Sequence, residues 1–198
     1  MAAKSTLRNM VLCLTLVCLL CSAILGVVYA VTSDPIEQAG RKALQDALSL
    51  VLPADGGISA DAAYADMDGV RYEYYCQTVQ GEASAWAVKS TVNGFGGPLT
   101  VLVGIGKDGV VCATKVLSHS ETPGLGAKCQ TDEAFISQFA GFDTSAKKLL
   151  VRKDGGDVDA ITASTITSRA YTLAVANAVK LVKTSLISEE TKEDPCNE

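Results

Sequence analysis

From Met10 to Val31 the chain carries no charged side chain. An apolar run of that length meets the roughly 20 residues a helix needs to cross a bilayer. Beyond it the pattern changes to an amphipathic one, with Ile36, Ala39, Ala43, Ala47, Leu48 and Val51 at helical spacing. Asp34-Pro35-Ile36-Glu37 supplies an N-cap, a proline for the first helical position and a capping-box glutamate, and Pro53 with Gly56-Gly57 ends the run. The pattern predicts a transmembrane helix over residues 10–31 and, continuing out of the membrane, a stalk helix with its linker over 32–56. From about Val70 the period is that of strands, with Tyr72, Tyr74, Cys76 and Thr78 alternating with their neighbours. Gln80-Gly81-Glu82 makes a turn and Ala83 to Val92 returns through Trp86 and Val88. After Gly94-Phe95-Gly96-Gly97-Pro98, the run from Leu99 to Ile105 predicts a central strand, Lys107-Asp108-Gly109 a hairpin turn, and Val110 to Leu117 its partner.

Four strands in succession predict an antiparallel sheet. The segment Ser118-His119-Ser120-Glu121-Thr122-Pro123-Gly124-Leu125-Gly126 then packs two glycines and a proline into a tight loop, of the kind that lets backbone approach something closely. Asp132 to Phe139 reads as a short amphipathic helix, and Ala146 to Lys153 as a further strand. Asp154-Gly155-Gly156-Asp157 turns into a long helix with few charges, from Thr167 to about Ile187, expected to lie across the sheet. The class is α+β: an amino-terminal transmembrane helix and stalk helix, then an antiparallel sheet packed with helices. The divisions expected are a cytoplasmic amino end over 1–9, the membrane span over 10–31, the stalk over 32–56, an extracytoplasmic domain over 57–188 and a charged tail over 189–198.

Charge refines this layout. The first 33 residues hold two of the 17 basic side chains, Lys4 and Arg8, and none of the 22 acidic ones, which leaves the rest of the chain at −7. With Lys4 and Arg8 before the span and Asp34 and Glu37 after it, the positive-inside rule puts the amino end in the cytoplasm and the domain outside. An acidic domain without a basic stripe excludes nucleic acid as a partner. The apolar run is longer than the core of a cleavable signal peptide, about 7–15 residues, although Val28-Tyr29-Ala30 resembles a cleavage site. Leu20 before Cys21 and Val17 before Cys18 do not fit lipid attachment. Of the seven cysteines, Cys13, Cys18 and Cys21 lie in the apolar run and behave as small hydrophobes. Cys76, Cys112, Cys129 and Cys196 are dispersed, and any disulfide among them stays open. The sequence offers no metal-ligand cluster, nucleophile–base pair or phosphate-binding glycine loop, and His119, the single histidine, reads as a loop hydrogen-bonder.

The chemistry concentrates between Asp159 and Ser168, where Thr162, Ser164, Thr165, Thr167 and Ser168 place five hydroxyls ahead of a helix. A helix start offers unpaired N–H groups and positive partial charge, so this stretch suits a cap and a phosphate equally. The order Asp-x-x-Thr-x-x-Thr-x-Thr resembles the flavinylation motif of the FMN-binding domain family, Asp-x-x-(Ser/Thr)-Gly-Ala-(Ser/Thr)-x-(Ser/Thr). In that family a flavin transferase joins FMN by a phosphoester to the hydroxyl that falls here on Thr165. Two positions depart from the pattern: Ala163 stands for the family's Gly and Ser164 for its Ala. If that Gly needs positive φ, Ala163 brings strain, and Ser164 sets a rival hydroxyl beside the acceptor.

The likeness covers nearly the whole chain. The glycine loop at 94–98, the 107–109 hairpin, the His119–Gly126 loop and the Asp159–Thr167 motif come in the order of the G subunit of the Rnf complex, which the chain resembles. Rnf is a membrane-bound ferredoxin:NAD oxidoreductase coupled to ion translocation. The C subunit of the sodium-translocating NADH:quinone oxidoreductase is similar in its flavin motif but longer before the domain. The resemblance implies FMN bound covalently at Thr165, with Thr162, Ser164, Thr167 and Ser168 around the attachment. It places Glu121, Thr122, Gly124, Leu125 and Gly126 against the isoalloxazine, with Gly96 and Gly97 in contact. It further implies the other Rnf subunits, a flavin transferase and the membrane as partners, and electron carriage without independent catalysis. The alternatives are a component like the C subunit of the sodium-translocating NADH:quinone oxidoreductase, or an anchored extracytoplasmic binding module, without flavin, whose hydroxyls only cap a helix.

Overall fold

A computed structural model describes residues 7–59 and 61–187. The tail expected over 189–198, Lys4 and Cys196 lie outside them. The chain divides into two compact units, one ending at Ala43 and one beginning at Leu44. The first consists of helix α1, Leu7–Val51, which continues into the second unit. It is long and apolar enough to cross a membrane, by length and composition.

The capped helix start expected at Asp34 is not there: α1 runs through Pro35 as one helix of 45 residues, so the stalk continues from the apolar run without a break. A proline inside a helix forfeits one backbone hydrogen bond and costs about 3 kcal/mol. Here it sits between a long Leu-rich apolar run and the Ala/Leu/Lys/Arg-rich run from Gln38 to Leu50, neither broken by another proline, and one missing bond does not end the helix. Thr32 also stays in helical register, its hydroxyl donating to the Val28 carbonyl at 2.7 Å.

The second unit is built on six antiparallel strands: β1 (Gly57–Ile58), β2 (Ala63–Met67), β3 (Val70–Val79), β4 (Glu82–Asn93), β5 (Pro98–Gly106) and β6 (Val111–His119). Their order is β1-β3-β4-β5-β6, with β2 following β1 along the same edge of β3. The four longer strands lie where the alternation predicts them. β1 and β2 are additional, and β2 is joined to β3 by a two-residue turn at Asp68-Gly69 with φ of 55° and 77°. Gln80-Gly81 makes the same kind of turn between β3 and β4, with φ of 56° and 89°. Positive φ at both central residues matches the twist of paired strands, which is why Asp-Gly serves there.

Both faces of the sheet are covered, and this explains the unbroken apolar run of β5. Leu99, Val101, Val103 and Ile105 face one core together with Trp86, Val88 and Tyr171, beneath helix α4 (Thr165–Leu181). Leu102, between them, faces a second core made with Ala85, Ala87 and Tyr75 and closed by Ala47, Leu48 and Val51 from the end of α1 and by Leu52 just after it. Leu102 is therefore buried, as its sequence suggests, but beneath the end of the first helix and not beneath the last. The approach is closest at Gly104, where a Cβ would stand 1.9 Å from the Val51 carbonyl oxygen. Only glycine lets helix backbone rest on strand backbone there. On the edge of the same face, burial alone would raise the Glu73 carboxyl, but hydrogen bonds from Lys89 at 2.8 Å and Tyr75 at 2.6 Å outweigh it and hold its pKa below the ordinary range.

After β6, α2 (Lys128–Thr131) and α3 (Glu133–Ile136) are single turns; Asp132 caps α3, accepting from the Ala134 and Phe135 amides. Phe135 and Phe139 then pack edge-on and tilted around Tyr171 of α4. The Tyr171 hydroxyl donates to Thr114 at 2.8 Å in β6, and burial pushes its pKa up to about 12. The strand expected over Ala146–Lys153 does not form. Only Val151 bridges to Val158, in parallel, while the Asp157 carboxylate accepts from the Lys148 amide and Arg152–Asp154 is a 3-10 turn. The segment folds back on itself because its chain neighbours, not a sheet edge, satisfy its backbone. Helix α4 begins at Thr165, two residues before the predicted start, and continues through a π turn over Val182–Leu186.

Candidate functional site

Three segments far apart in the chain meet at the carboxylate of Glu121, which is only 5% exposed. One oxygen accepts from the Phe95 amide at 2.8 Å; the other accepts from the Thr167 hydroxyl at 2.9 Å and, at 3.4 Å, from the Gly96 amide. The glycine loop between β4 and β5, the loop after β6 and the first turn of α4 are thereby tied to one acidic group. Two glycines make room for it: a Cβ on Gly94 would lie 1.9 Å from one carboxylate oxygen, and one on Gly126 would lie 2.4 Å from the other. His119 orients the same loop. Its Nδ1 accepts from the Glu121 amide at 3.2 Å and its Nε2 faces the Gln130 side-chain oxygen at 3.1 Å, so Nε2 carries the proton. Beside Glu121, burial and then the glutamate's charge push the Cys129 thiol up to about 11. Cys112 and Cys129 are free thiols, and Cys76 is disulfide-bonded.

Over this junction lies an open cleft of about 360 Å³ lined by Phe95, Glu121, Thr122, Leu125, Gly126 and the segment 163–167. That volume lies within the range of about 300–1,000 Å³ of small-molecule sites. Its rim holds Phe95 (69% exposed), Leu125 (46%) and Ile166 (51%), apolar side chains turned to solvent where a planar aromatic ring could cover them. The N-terminus of α4 opens into the same cleft, with the N–H groups that no helix pairs within itself. Thr165 is half-buried in the first turn, and its Oγ1 accepts from Lys153 Nζ at 3.3 Å. Ser164, in the N-cap position, makes no capping bond; its hydroxyl is buried without a partner among the described residues. Ala163 has φ of 63°, the left-handed region that the family's glycine at this position anticipates.

Of the residues singled out from the sequence, Glu121, Thr122, Leu125, Gly126, Ser164, Thr165 and Thr167 come together in the cleft. Gly96 touches it through Glu121, while Gly97 (φ of 142°) and Gly124 (φ of 78°) shape their loops outside the lining. Thr162 is exposed and outside the lining. Ser168 is fully buried behind the cleft, where its hydroxyl accepts from the Ile161 amide and donates to the Ser164 carbonyl, bracing the motif against α4. Sequence reasoning passed over Phe95 as a lining residue and Lys153 altogether. Phe95, an aromatic among three glycines, carried a signal; Lys153 carried none, because a loop lysine gains meaning only from what it faces.

The turn bearing Lys153 is pinned on both sides. Arg152 Nε meets Asp159 at 3.1 Å, and Asp154 holds Arg169 of α4 through two contacts of 2.6 Å. The Arg169 guanidinium holds the Asp154 carboxyl below its ordinary range, and Asp154 in turn raises Arg169. A bound group with a flat aromatic part and an anionic part fits these residues: apolar faces for the one, and a cation, an unpaired hydroxyl and helix-start N–H groups for the other. FMN has that shape and charge.

Comparison with known proteins agrees with the geometry. The FMN-binding domain model matches residues 94–180, the stretch that contains every residue of the cleft, and the model of the RnfG N-terminal region matches residues 1–51. The G subunit of the ion-translocating oxidoreductase complex of Vibrio atlanticus is 34% identical over 173 residues, covering 81% of this chain and 83% of its own. The protein of the same name from Shewanella baltica is 35% identical over 179 residues, covering 84% of each. Among solved structures, NqrC of Shewanella oneidensis matches with a TM-score of 0.50 at 20% identity, over 67% of this chain and 70% of that one, and so shares the fold. With identity of this order along most of both chains, the present chain belongs to the family of G subunits of ion-translocating oxidoreductase complexes.

Proposed function

We propose that the protein is a membrane-anchored flavoprotein electron carrier, one component of an ion-translocating ferredoxin:NAD oxidoreductase, with FMN esterified to Thr165. The observation that carries this reading is the cleft itself, with Thr165 in the first turn of α4 between an apolar rim and the Lys153 ammonium. Bound flavin supplies reversible electron uptake and release; the protein supplies position, hydrogen bonds and burial. Phe95 and Leu125 offer faces for the ring, and Glu121 fixes the loops that carry them. The start of α4 meets the phosphate. Esterification joins Thr165 Oγ1 to the flavin phosphorus, releases the hydroxyl proton and displaces the leaving group of an activated flavin phosphate donor, so a flavin transferase is the expected maturation partner.

Thr165 is favoured over its neighbours by access. Ser164 is 7% exposed, Thr167 is committed to Glu121, and Thr162 stands outside the cleft. Coexpression of the full-length chain with a flavin transferase should give flavin fluorescence that survives denaturation, located on Thr165 by peptide mass spectrometry. Thr165→Val should carry none. Covalent flavin on Ser164, or flavin retained by Thr165→Val, would sink the assignment, and a wild-type chain that never acquires flavin favours a binding module whose hydroxyls only cap a helix.

The charge pattern around the apolar run supports an amino end in the cytoplasm and a domain on the opposite side, among the other components of the complex. Protease added to right-side-out spheroplasts should then digest the domain; digestion confined to inverted vesicles reverses the orientation.

A further inference from the structure

We infer that Lys153 and Ser164 form an anion subsite that holds the phosphoester oxygens of the flavin on Thr165, Lys153 by its charge and Ser164 by its hydroxyl proton. This rests on the covalent reading above and goes beyond it in assigning residues of this chain to the phosphate.

The argument starts from the turn Arg152–Asp154. Its three charged side chains have different fates. Arg152 is paired with Asp159 of the hydroxyl-rich motif, and Asp154 is paired twice over with Arg169 on α4. These two ties hold the turn to the motif and to the helix. Lys153, between them, reaches a neutral oxygen, Thr165 Oγ1, at 3.3 Å. At a neutral hydroxyl the ammonium finds a dipole only, in an exposed contact; beside a phosphodiester, which carries one negative charge on its free oxygens, it gains an opposite charge as well as an acceptor.

Ser164 is the second, independent sign. It lines the cleft, is 7% exposed, occupies the N-cap position without capping, and has a buried hydroxyl with no partner among the described residues. A buried hydroxyl left unpaired has given up its hydrogen bonds to water without replacement, so its presence calls for an acceptor, and the residue next to it is Thr165. The carboxylate of the cleft lining, Glu121, already accepts from the Phe95 and Gly96 amides and from Thr167.

Flavinylation of the full-length chain by a flavin transferase, followed by intact-protein mass at low and high salt, tests the subsite. The wild type, Lys153→Gln, Lys153→Arg and Ser164→Ala are compared, with ³¹P spectra of the loaded proteins and melting temperatures. Lys153→Gln is expected to load about three- to tenfold more slowly at low salt, with the gap closing at high salt, because the contact is exposed and screened. Lys153→Arg should restore most of the rate. The ³¹P resonance should move in both Lys153→Gln and Ser164→Ala while melting stays within about 2 °C. Wild-type protein loaded on Thr165, with Lys153→Gln matching it in rate and ³¹P shift, overturns the subsite and leaves the covalent reading intact. A loss of rate that arginine does not restore and that accompanies a lower melting temperature assigns Lys153 to packing and also overturns it. A wild type that gains no flavin removes both.

Discussion

Replacing Glu121 by glutamine changes one atom of a buried carboxylate, and the three donors around it make the cost calculable. The new NH₂ group must take the place of one oxygen. Set opposite Phe95, it meets an N–H at 2.8 Å, donor against donor, and leaves that amide unpaired. An orphaned buried donor costs about 1–3 kcal/mol. Set the other way, it faces Thr167, whose hydroxyl can turn to accept, at the loss of the long 3.4 Å contact with Gly96. The second arrangement wins, yet both short bonds fall from charge-assisted to neutral, about 1 kcal/mol each. The expected loss is thus about 2 kcal/mol, or about 4–8 °C of melting temperature for a domain of this size. Trp86, the single tryptophan and fully buried, reports unfolding of the full-length protein in detergent by fluorescence. Glu121→Ala, which removes all three bonds and leaves the hollows of Gly94 and Gly126 unfilled, should lose more. A Glu121→Gln protein that melts within about 1 °C of the wild type would refute the reasoning, since the carboxylate would then not be what joins the two loops to α4.

Gly104→Ala drives a methyl group against the Val51 carbonyl, 1.9 Å away, and the helix end must lift; about 2–3 kcal/mol of stability should go, with faster proteolysis between residues 44 and 53, and an unchanged melting point would disprove the contact. Ala163→Gly relieves a left-handed alanine, worth about 1–2 kcal/mol, against about 0.4–1 kcal/mol for the looser unfolded chain; the net is a small gain, and a lower melting temperature would contradict it. The Asp154 carboxyl, held low by Arg169, binds its proton more readily in the unfolded chain; its contribution is present above about pH 4 and is lost as pH falls through the lower folded value. Asp154→Asn should therefore differ from the wild type at pH 6 and converge with it once the pH has fallen below the folded value; a gap that persists in acid would show that the pair does not titrate this way.

Strands β3 to β6 were legible because alternation and glycine turns act within a few residues of each other. The Asp68-Gly69 turn was equally local, but β2 presents Ala63, Ala65 and Met67 on its inner side, too weak an alternation to mark a strand. Pro35 misled for a different reason: start signals describe what a helix can use, while the flanking residues decide whether it needs them. At Leu102 the period fixed the alternation but could not say which layer covers which face, because Ala47 and Val51 come from a segment some fifty residues earlier. The site divides the same way. Its hydroxyls stand together in the chain and could be read there, whereas the bonds that make Glu121 a junction cross 26 and 46 residues.

The covering of Leu102 and Gly104 by the end of α1 means that where the chain is severed matters more than whether it is. A cut before Leu44 frees a unit with both sides of its sheet still clothed. A cut after Val51 strips Leu102, Ala85 and Ala87 bare and presents water with a flat apolar sheet, the kind of surface on which chains associate and aggregate. The last two turns of the long helix therefore belong to the globular unit as much as to its tether, and shedding the tether at that point yields an adhesive fragment and not a soluble domain.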